Sequence, residues 1–256
     1  MPDLSEKVFV ITGGNGGIGL GMAEGIAAAG GSIAIWARNE TKNNNAVETL
    51  EKMGVAAKAY VCDVSSEPAI LESIAETVSD FGRIDGLFAN AGRSGTGTPF
   101  VDLSLEEWQK VMAVNLDGVF LCMREAAKQI ISQGSGGSLV AVSSTSAVHG
   151  AAGNEAYGTA KTAVTGLVRA LAVGLARHRI RVNSLLPGWT VTELLGLLLK
   201  MTDFGKLRRK GLPCVGGLTQ ANSERLGLFW LIHRKPSIPV NRYVWMAVTQ
   251  FFSRCA

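Results

Sequence analysis

The chain of 256 residues lacks the features that mark several classes of protein. Its four cysteines lie far apart without a CxxC pair, which argues against a disulfide framework or a zinc site (Cys62, Cys122, Cys214, Cys255). The three histidines are scattered as well, so no metal site is predicted. No apolar run approaches the ~18 residues of a membrane helix, and the start, MPDLSEK, shows no basic leader before an apolar stretch. These absences predict a cytoplasmic protein without a membrane partner.

Proline is scarce at 7 residues, so the 31 glycines, which follow no period, do not indicate a collagen-like or low-complexity chain. Charged residues make up 18% and apolar residues 47%, which excludes intrinsic disorder. A chain of this length buries a large core without disulfide bonds, and a single α/β domain fits it.

Acidic residues are almost absent from the last part of the chain. Residues 1–196 hold 15 of the 25 basic and 19 of the 21 acidic residues, whereas residues 197–256 hold 10 basic and 2 acidic ones. Such asymmetry can indicate a tail that binds nucleic acid. The only basic cluster is KLRRK at 206–210, and no nucleic-acid fold is recognisable around it. We therefore predict no nucleic-acid partner, and we separate a domain at 1–196 from an atypical basic tail at 197–256.

Apolar, β-like runs alternate with amphipathic helical stretches through the first 186 residues. The pattern predicts strands at 7–12, 32–37, 57–64, within 83–90, 138–144 and 180–187, and helices at 17–29, 46–53, 67–81, 104–112, 115–132 and 155–177. Continuous apolar strands are buried on both faces, as in parallel sheets, and strict alternation requires right-handed crossovers. The predicted fold is α/β, a single domain with a doubly wound, mostly parallel, Rossmann-like sheet.

The first predicted strand runs directly into a glycine-rich turn, TGGNGGIG, at residues 12–19. Its glycines allow a tight turn and let a pyrophosphate approach the backbone N–H groups at the start of the next helix. The spacing differs from GxGxxG, and a glycine-rich turn alone is weak evidence, so an ordinary turn remains an alternative.

A second signal is the YGTAK segment of the last predicted helix. Tyr157 and Lys161 are four residues apart and share one helix face. A nearby cation favours phenolate, so Lys161 is expected to lower the pKa of Tyr157, as a proton shuttle to a carbonyl oxygen requires. Ser143 and Ser144 end the fifth predicted strand, at the edge where open α/β sheets bind ligands.

Taken together, these motifs resemble those of the short-chain dehydrogenase/reductase family over about residues 5–195. The resemblance is to its single-domain branch, and the chain is similar to 3-oxoacyl-carrier-protein reductases and gluconate 5-dehydrogenases. Ser144 precedes Tyr157 by thirteen residues, which is the family spacing and favours Ser144 over Ser143. The matching cofactor-binding positions are Thr12, Gly13, Asn15, Gly16, Gly17, Ile18, Gly19, Asp63, Val64, Asn90, Ala91, Gly92, Pro187, Gly188, Thr190 and Thr192, together with Tyr157 and Lys161.

The resemblance implies an oxidoreductase that transfers a hydride between a nicotinamide cofactor and a carbonyl or secondary alcohol substrate. Tyr157 is then the general acid or base, and Ser144 orients the carbonyl. Lys161 lowers the pKa of Tyr157 and binds the nicotinamide ribose, and Asn115 holds a water that links Lys161 to solvent. The family also implies a homodimer or homotetramer.

Cofactor choice is predicted at the end of the second strand, where an acidic side chain would accept the ribose 2′-hydroxyl of NAD. Ala37 stands there instead, followed by Arg38, whose guanidinium suits the 2′-phosphate of NADP. The NGG of the glycine turn lacks the basic residue that many NADP-using relatives carry. We predict NADP and leave NAD open.

The tail from about residue 201 departs from the family, which ends with a helix, a strand and a finish like TGxxxxVDGG. The codons of Trp245, Met246 and Ala247, read in another frame, force Asp-Gly, and the neighbouring codons permit Val before this pair and Gly-Tyr-Thr-Ile-Phe-stop after it. We interpret residues 201–256 as a frameshifted family C-terminus. The alternative function is thus a dinucleotide-binding protein without activity.

Overall fold

The computed structural model describes residues 3–150 and 152–188. The strands are β1 (Val8–Thr12), β2 (Ser32–Ala37), β3 (Ala57–Val61), β4 (Gly86–Ala89), β5 (Gly137–Val142) and β6 (Ile180–Leu185). The helices are α1 (Gly17–Ala27), α2 (Glu40–Glu51), α3 (Glu67–Phe81), α4 (Leu105–Met112), α5 (Gly118–Gln133) and α6 (Glu155–Gly174). Short 3₁₀ turns occupy Phe100–Asp102, Thr145–Ala147 and Ala176–His178.

The six strands form one sheet in the order β3-β2-β1-β4-β5-β6, and every pair is parallel. This confirms the predicted α/β, Rossmann-like fold. The direction of winding reverses between β1 and β4, and ligands of such sheets bind in the crevice beyond the carboxyl ends of the strands at this point. The topology therefore indicates where a functional site belongs before any side chain is considered.

Each face of the sheet carries its own apolar core. On one face, α3, α5 and α6 cover residues such as Trp36, Leu87 and Leu139. On the other face, α1 and α2 cover residues such as Ile11 and Ile35. Burial on both faces explains why the strands are continuous apolar runs rather than alternating ones.

Helix α2 begins at Glu40 rather than at residue 46, so the predicted start is wrong. The Asn39 side chain accepts a hydrogen bond from the Lys42 N–H at 2.9 Å and caps the first turn. The first six residues, ETKNNN, are polar and gave no apolar periodicity. Strand β3 ends at Val61 rather than 64, because Asp63 Oδ1 accepts from the Ser65 N–H at 2.9 Å and turns the chain.

The two helices predicted at 104–112 and 115–132 are joined. One π-helical segment, Ala113–Asp117, connects α4 to α5 without a break. Such segments are rare and are often found at functional sites. Asn115 lies in this segment and is fully buried.

The predicted domain boundary at 196 and the interpretation of the tail concern residues outside those described. Within residues 3–150 and 152–188, no helix has the length and apolar character to cross a membrane. The same residues contain no group of His, Cys, Asp and Glu side chains able to hold a metal ion.

Candidate active site

The carboxyl ends of β1 and β4 are tied together at the point where the winding reverses. The Thr12 hydroxyl oxygen accepts hydrogen bonds from the N–H groups of Asn90 and Ala91, both at 2.9 Å. The Asn90 side-chain amide donates back to the carbonyl oxygens of Thr12 (3.0 Å) and Gly13 (3.3 Å). The glycine turn and the segment after β4, both predicted to bind the cofactor, are therefore one rigid unit.

Helix α1 starts inside this unit and is packed against it without spare room. A Cβ atom on Gly19 would lie 2.3 Å from the Gly13 carbonyl oxygen and 2.6 Å from Asn90 Nδ2. At Gly16, in contrast, a Cβ would meet no atom within 4 Å, and no side chain caps the helix N-terminus there. An open surface with free N–H groups at a helix N-terminus fits the pyrophosphate of a dinucleotide.

A second set of contacts joins the glycine turn to the end of β2. Asn15 Nδ2 donates to Asn43 Oδ1 at 2.7 Å and to the Asn39 carbonyl oxygen at 3.5 Å. Asn43 Nδ2 donates in turn to the Ala37 carbonyl oxygen at 2.9 Å. Sequence reasoning missed Asn43, although a polar residue at helical spacing from Ala46 was a usable signal, because both lie on the buried face of α2.

Arg38 is exposed at the edge of this region, and one of its guanidinium nitrogens lies 3.7 Å from Asp63 Oδ2. Burial acts to raise the pKa of Asp63, but the hydrogen bonds from Ser65 and the charge of Arg38 outweigh it and hold that pKa below its usual value. Two residues predicted to contact different parts of the cofactor are thus neighbours. Val64 is buried, and its carbonyl oxygen leaves no room for a side chain at Gly118.

Three predicted catalytic residues meet beyond the end of β5. Lys161 is buried, and its ammonium donates to the Val142 carbonyl oxygen at 2.8 Å while lying 5.5 Å from the centre of the Tyr157 ring. The Ser144 side chain lies beside Tyr157 and acts to lower the pKa of the phenol. Ser143 is committed elsewhere, because its hydroxyl donates to the Lys161 carbonyl oxygen at 2.7 Å. The geometry thus brings Ser144, rather than Ser143, to the phenol.

The expected lowering of the Tyr157 pKa by Lys161 is wrong for this structure. Burial raises the pKa of Tyr157, and the neighbouring Ser144 side chain only partly opposes that effect. Burial also lowers the pKa of Lys161, to about 8. The i, i+4 spacing identified a shared helix face, but desolvation, which disfavours both charged forms, is the larger influence here.

Asn115 is held by three hydrogen bonds. Its Nδ2 donates to the carbonyl oxygens of Arg93 (2.8 Å) and Val111 (2.9 Å), and its Oδ1 accepts from the Arg93 N–H at 3.3 Å. The Arg93 guanidinium in turn binds Glu107 of α4 at 2.8 Å. A Cβ on Gly92 would lie 2.8 Å from Asn115 Oδ1 and 3.6 Å from Lys161 Nζ, so all these groups are neighbours. Sequence reasoning missed Arg93, because nothing in the spacing indicates this contact.

The end of β6 joins the same edge. The Thr145 N–H donates to the Pro187 carbonyl oxygen at 3.0 Å, which aligns the segment after β6 with the segment that carries Ser144. Gly188 is exposed beside it. Thr190 and Thr192, predicted to bind the cofactor, lie outside the described residues.

Comparison with known proteins gives matches over most of the chain. A family model described as short chain dehydrogenase matches residues 7–202. A 2,5-dichloro-2,5-cyclohexadiene-1,4-diol dehydrogenase of Sphingobium indicum is 36% identical over 232 residues, covering 91% of this chain and 92% of the relative.

Solved structures agree with the sequence comparison. Levodione reductase superposes with a TM-score of 0.83 at 29% identity, covering 89% of this chain and 91% of that one. An NAD⁺-bound xylitol dehydrogenase gives a TM-score of 0.81 at 30% identity, with coverage of 89% and 93%. The paired ends of β1 and β4, the glycine turn and the Tyr157 cluster all fall within the matched span. The chain therefore belongs to the short-chain dehydrogenase/reductase family of oxidoreductases, which use NAD or NADP.

Proposed function

We propose that this protein transfers a hydride between NADP(H) and a carbonyl or secondary alcohol substrate, with Tyr157 as the proton donor and acceptor. The observation that carries the proposal is the proximity of Tyr157 to both Ser144 and Lys161 at the ligand-binding edge of the sheet, with the Lys161 ammonium 5.5 Å from the centre of the Tyr157 ring. A phenol beside a hydroxyl and an ammonium can hold a carbonyl oxygen and transfer a proton to it.

The residues around the carboxyl ends of β1 and β4, where the winding reverses, fit the cofactor. Backbone N–H groups from Gly16 to Gly19 would hold the pyrophosphate, and Arg38 would contact the 2′-phosphate. Lys161 would hold the nicotinamide ribose, and Asp63 the adenine. The bound cofactor supplies or accepts the hydride, and the protein supplies position and electrostatics.

The proton step falls to Tyr157, and its protonated phenol is the form that reduction requires. A phenol whose pKa is raised by burial stays protonated near neutral pH, which is the form that donates a proton to a carbonyl oxygen. Ser144 orients that oxygen. Lys161, with a pKa near 8, can itself release a proton close to neutral pH, and the buried Asn115 keeps its surroundings fixed.

The direct test is oxidation of NADPH and of NADH by the purified chain against a panel of ketones. The panel contains sugar acids, 3-oxoacyl thioesters, steroids and cyclic diketones. Turnover of any member supports the proposal. Binding of both nucleotides without turnover of any ketone, or of the matching alcohols in the reverse direction, contradicts it.

Arg38 provides the first prediction. Arg38→Ala is expected to weaken NADPH binding by ~1.5–3 kcal/mol, the size of one hydrogen bond between charged groups. NADH binding should barely change, since NADH has no 2′-phosphate. Titration calorimetry with both nucleotides measures the difference, and Lys42→Ala, an exposed cation on α2, is the control. An equal loss for both nucleotides contradicts the role of Arg38.

The alternative is a dinucleotide-binding protein that lacks activity because its C-terminal segment is altered. It is favoured by the loss of acidic residues after residue 196 and by the Asp-Gly forced in the other frame. We predict that restoring one base near codon 200 raises soluble yield and ketone reduction well above those of the present chain. The prediction is contradicted if the gene does not encode a VDGG-like sequence in the other frame. It is also contradicted if the present chain purifies as a stable, active tetramer.

The proposal has three further parts. We propose a small-molecule substrate, a cytoplasmic location and assembly as a homodimer or homotetramer. The assembly is checked by light scattering of the present chain and of the restored one.

A further inference from the structure

Asn43 is a buried amide on a helix face that is otherwise apolar. Its side chain is 2% exposed and shares the inner face of α2 with Ala46 and Leu50. A buried amide is tolerated only where its donors and acceptor are bound. Both partners of Asn43 belong to the region where the cofactor ribose is recognised, namely the last residue of β2 and the glycine turn.

The hydrogen bonds fix which way each amide faces. The Ala37 carbonyl oxygen can only accept, so Asn43 must turn Nδ2 toward it. Asn43 then presents Oδ1 to Asn15, and because this oxygen can only accept, Asn15 must donate to it from Nδ2. The same nitrogen lies 3.5 Å from the Asn39 carbonyl oxygen, so both amide hydrogens of Asn15 have acceptors within the protein.

Asn15 is therefore left with an acceptor and no donor for a ligand. Within residues 3–150 and 152–188, its Oδ1 takes part in no hydrogen bond. A carbonyl oxygen attracts a hydroxyl group and repels a phosphate, which at neutral pH is almost purely an acceptor. Arg38 acts in the opposite sense, because its exposed guanidinium attracts a phosphate.

We propose that Asn43 is a specificity-determining residue, which holds the Asn15 amide with its donors inward and so limits the preference for a 2′-phosphate over a 2′-hydroxyl. The inference rests on the proposed dinucleotide binding and deepens it. Asn43 acts through Asn15 without touching the cofactor, so it is a positioning residue. Discrimination between NADP and NAD is then the balance of Arg38 against the fixed carbonyl oxygen of Asn15.

The test is Asn43→Leu, which keeps a side chain of similar size on the apolar face of α2. The Ala37 carbonyl oxygen retains the hydrogen bond from the Cys62 N–H at 3.4 Å, so the end of β2 keeps a partner. Freed from Asn43, the Asn15 amide can turn and donate to a phosphate. The ratio of the Kd of NAD⁺ to that of NADP⁺ should rise about tenfold or more, the lower end of the range for one hydrogen bond to a charged group.

The measurement is titration calorimetry with NADP⁺ and NAD⁺, which needs no substrate and no turnover. Asn44→Leu is the matched control, because Asn44 is the exposed neighbour on the same helix, and its ratio should equal that of the wild type. Asn15→Ala is the second variant. It removes the outward carbonyl oxygen without opening the core, and it should shift the ratio in the same direction if Asn43→Leu does not fold.

The outcomes separate the two proposals. Binding of both nucleotides with an unchanged ratio in Asn43→Leu and Asn15→Ala overturns the role of Asn43 alone. A shift toward NAD⁺ overturns it as well, because the released amide would then not act as a donor to phosphate. A wild-type chain that binds neither nucleotide contradicts the proposed function itself.

Discussion

Replacing Tyr157 with phenylalanine is expected to reduce turnover by ~10²–10⁴-fold, the usual contribution of a general acid or base. The substitution removes one hydroxyl and keeps the ring, which lies 5.5 Å from the Lys161 ammonium. Lys161 also keeps its hydrogen bond to the Val142 carbonyl oxygen. Nucleotide affinity should therefore stay within a few-fold of the wild type, and the effect should appear in kcat.

Tyr60→Phe is the control for this prediction. Tyr60 is also largely buried, and its hydroxyl donates to Asp80 at 2.8 Å between β3 and α3. Its loss removes one hydrogen bond, worth about 0.5–1.5 kcal/mol of stability, or up to ~3 kcal/mol where the partner is charged. Turnover should remain. Near-normal kcat in Tyr157→Phe, with Tyr60→Phe behaving as expected, would exclude Tyr157 as the proton donor.

The fold was predictable because it depends on the pattern of apolar residues, which can be read directly from the sequence. Strands buried on both faces must be apolar throughout, so β1, β2 and β5 could be placed within a residue or two. Helix α3 was placed at its observed bounds, because Ser66 caps it and Pro68 stands in its first turn. The polar start of α2 was missed, since its formation depends on the Asn39 cap and not on periodicity.

The site was predictable only where residues are tied to strand ends or to fixed spacings. Parallel strands bring their carboxyl ends to one edge, so Thr12, Asn90 and Ser144 could be assigned to the same place. Contacts between segments distant in sequence leave no periodic trace. The contacts of Asn43 with Asn15 and of Asn115 with Arg93 depend on the final packing, and they appear only in three dimensions.

The raised pKa of Tyr157 is a second property that could not be predicted from the sequence. Spacing along a helix gives proximity, which favours the phenolate beside an ammonium. It does not give burial, which disfavours the phenolate and the ammonium alike. With Lys161 fully enclosed, desolvation is the larger influence on both groups, and only the structure supplies the degree of enclosure.

Replacing Gly19 with alanine should abolish tight nucleotide binding, because there is no room for the added methyl group between α1 and the glycine turn. Its Cβ would lie 2.3 Å from the Gly13 carbonyl oxygen and 2.6 Å from Asn90 Nδ2, and the first of these is backbone of the glycine turn. Either α1 or the turn must move by about an ångström, and a displacement of that size in a binding site can reduce turnover on the order of 10²-fold. Overpacking should also lower the free energy of unfolding by roughly 1–3 kcal/mol.

Gly166→Ala is the control, because it makes the same substitution in a helix where the added methyl group has room. Gly166 lies in α6, where an added Cβ would meet only the end of the Arg169 side chain at 3.9 Å. There alanine should stabilise the helix by up to ~1 kcal/mol, since glycine is the poorer helix former. Calorimetric titration with NADP⁺ and urea unfolding of both variants give the comparison. Tight nucleotide binding by Gly19→Ala would show that the glycine turn can move without loss of affinity. Its close packing against α1 would then not be what maintains the shape of the pyrophosphate site.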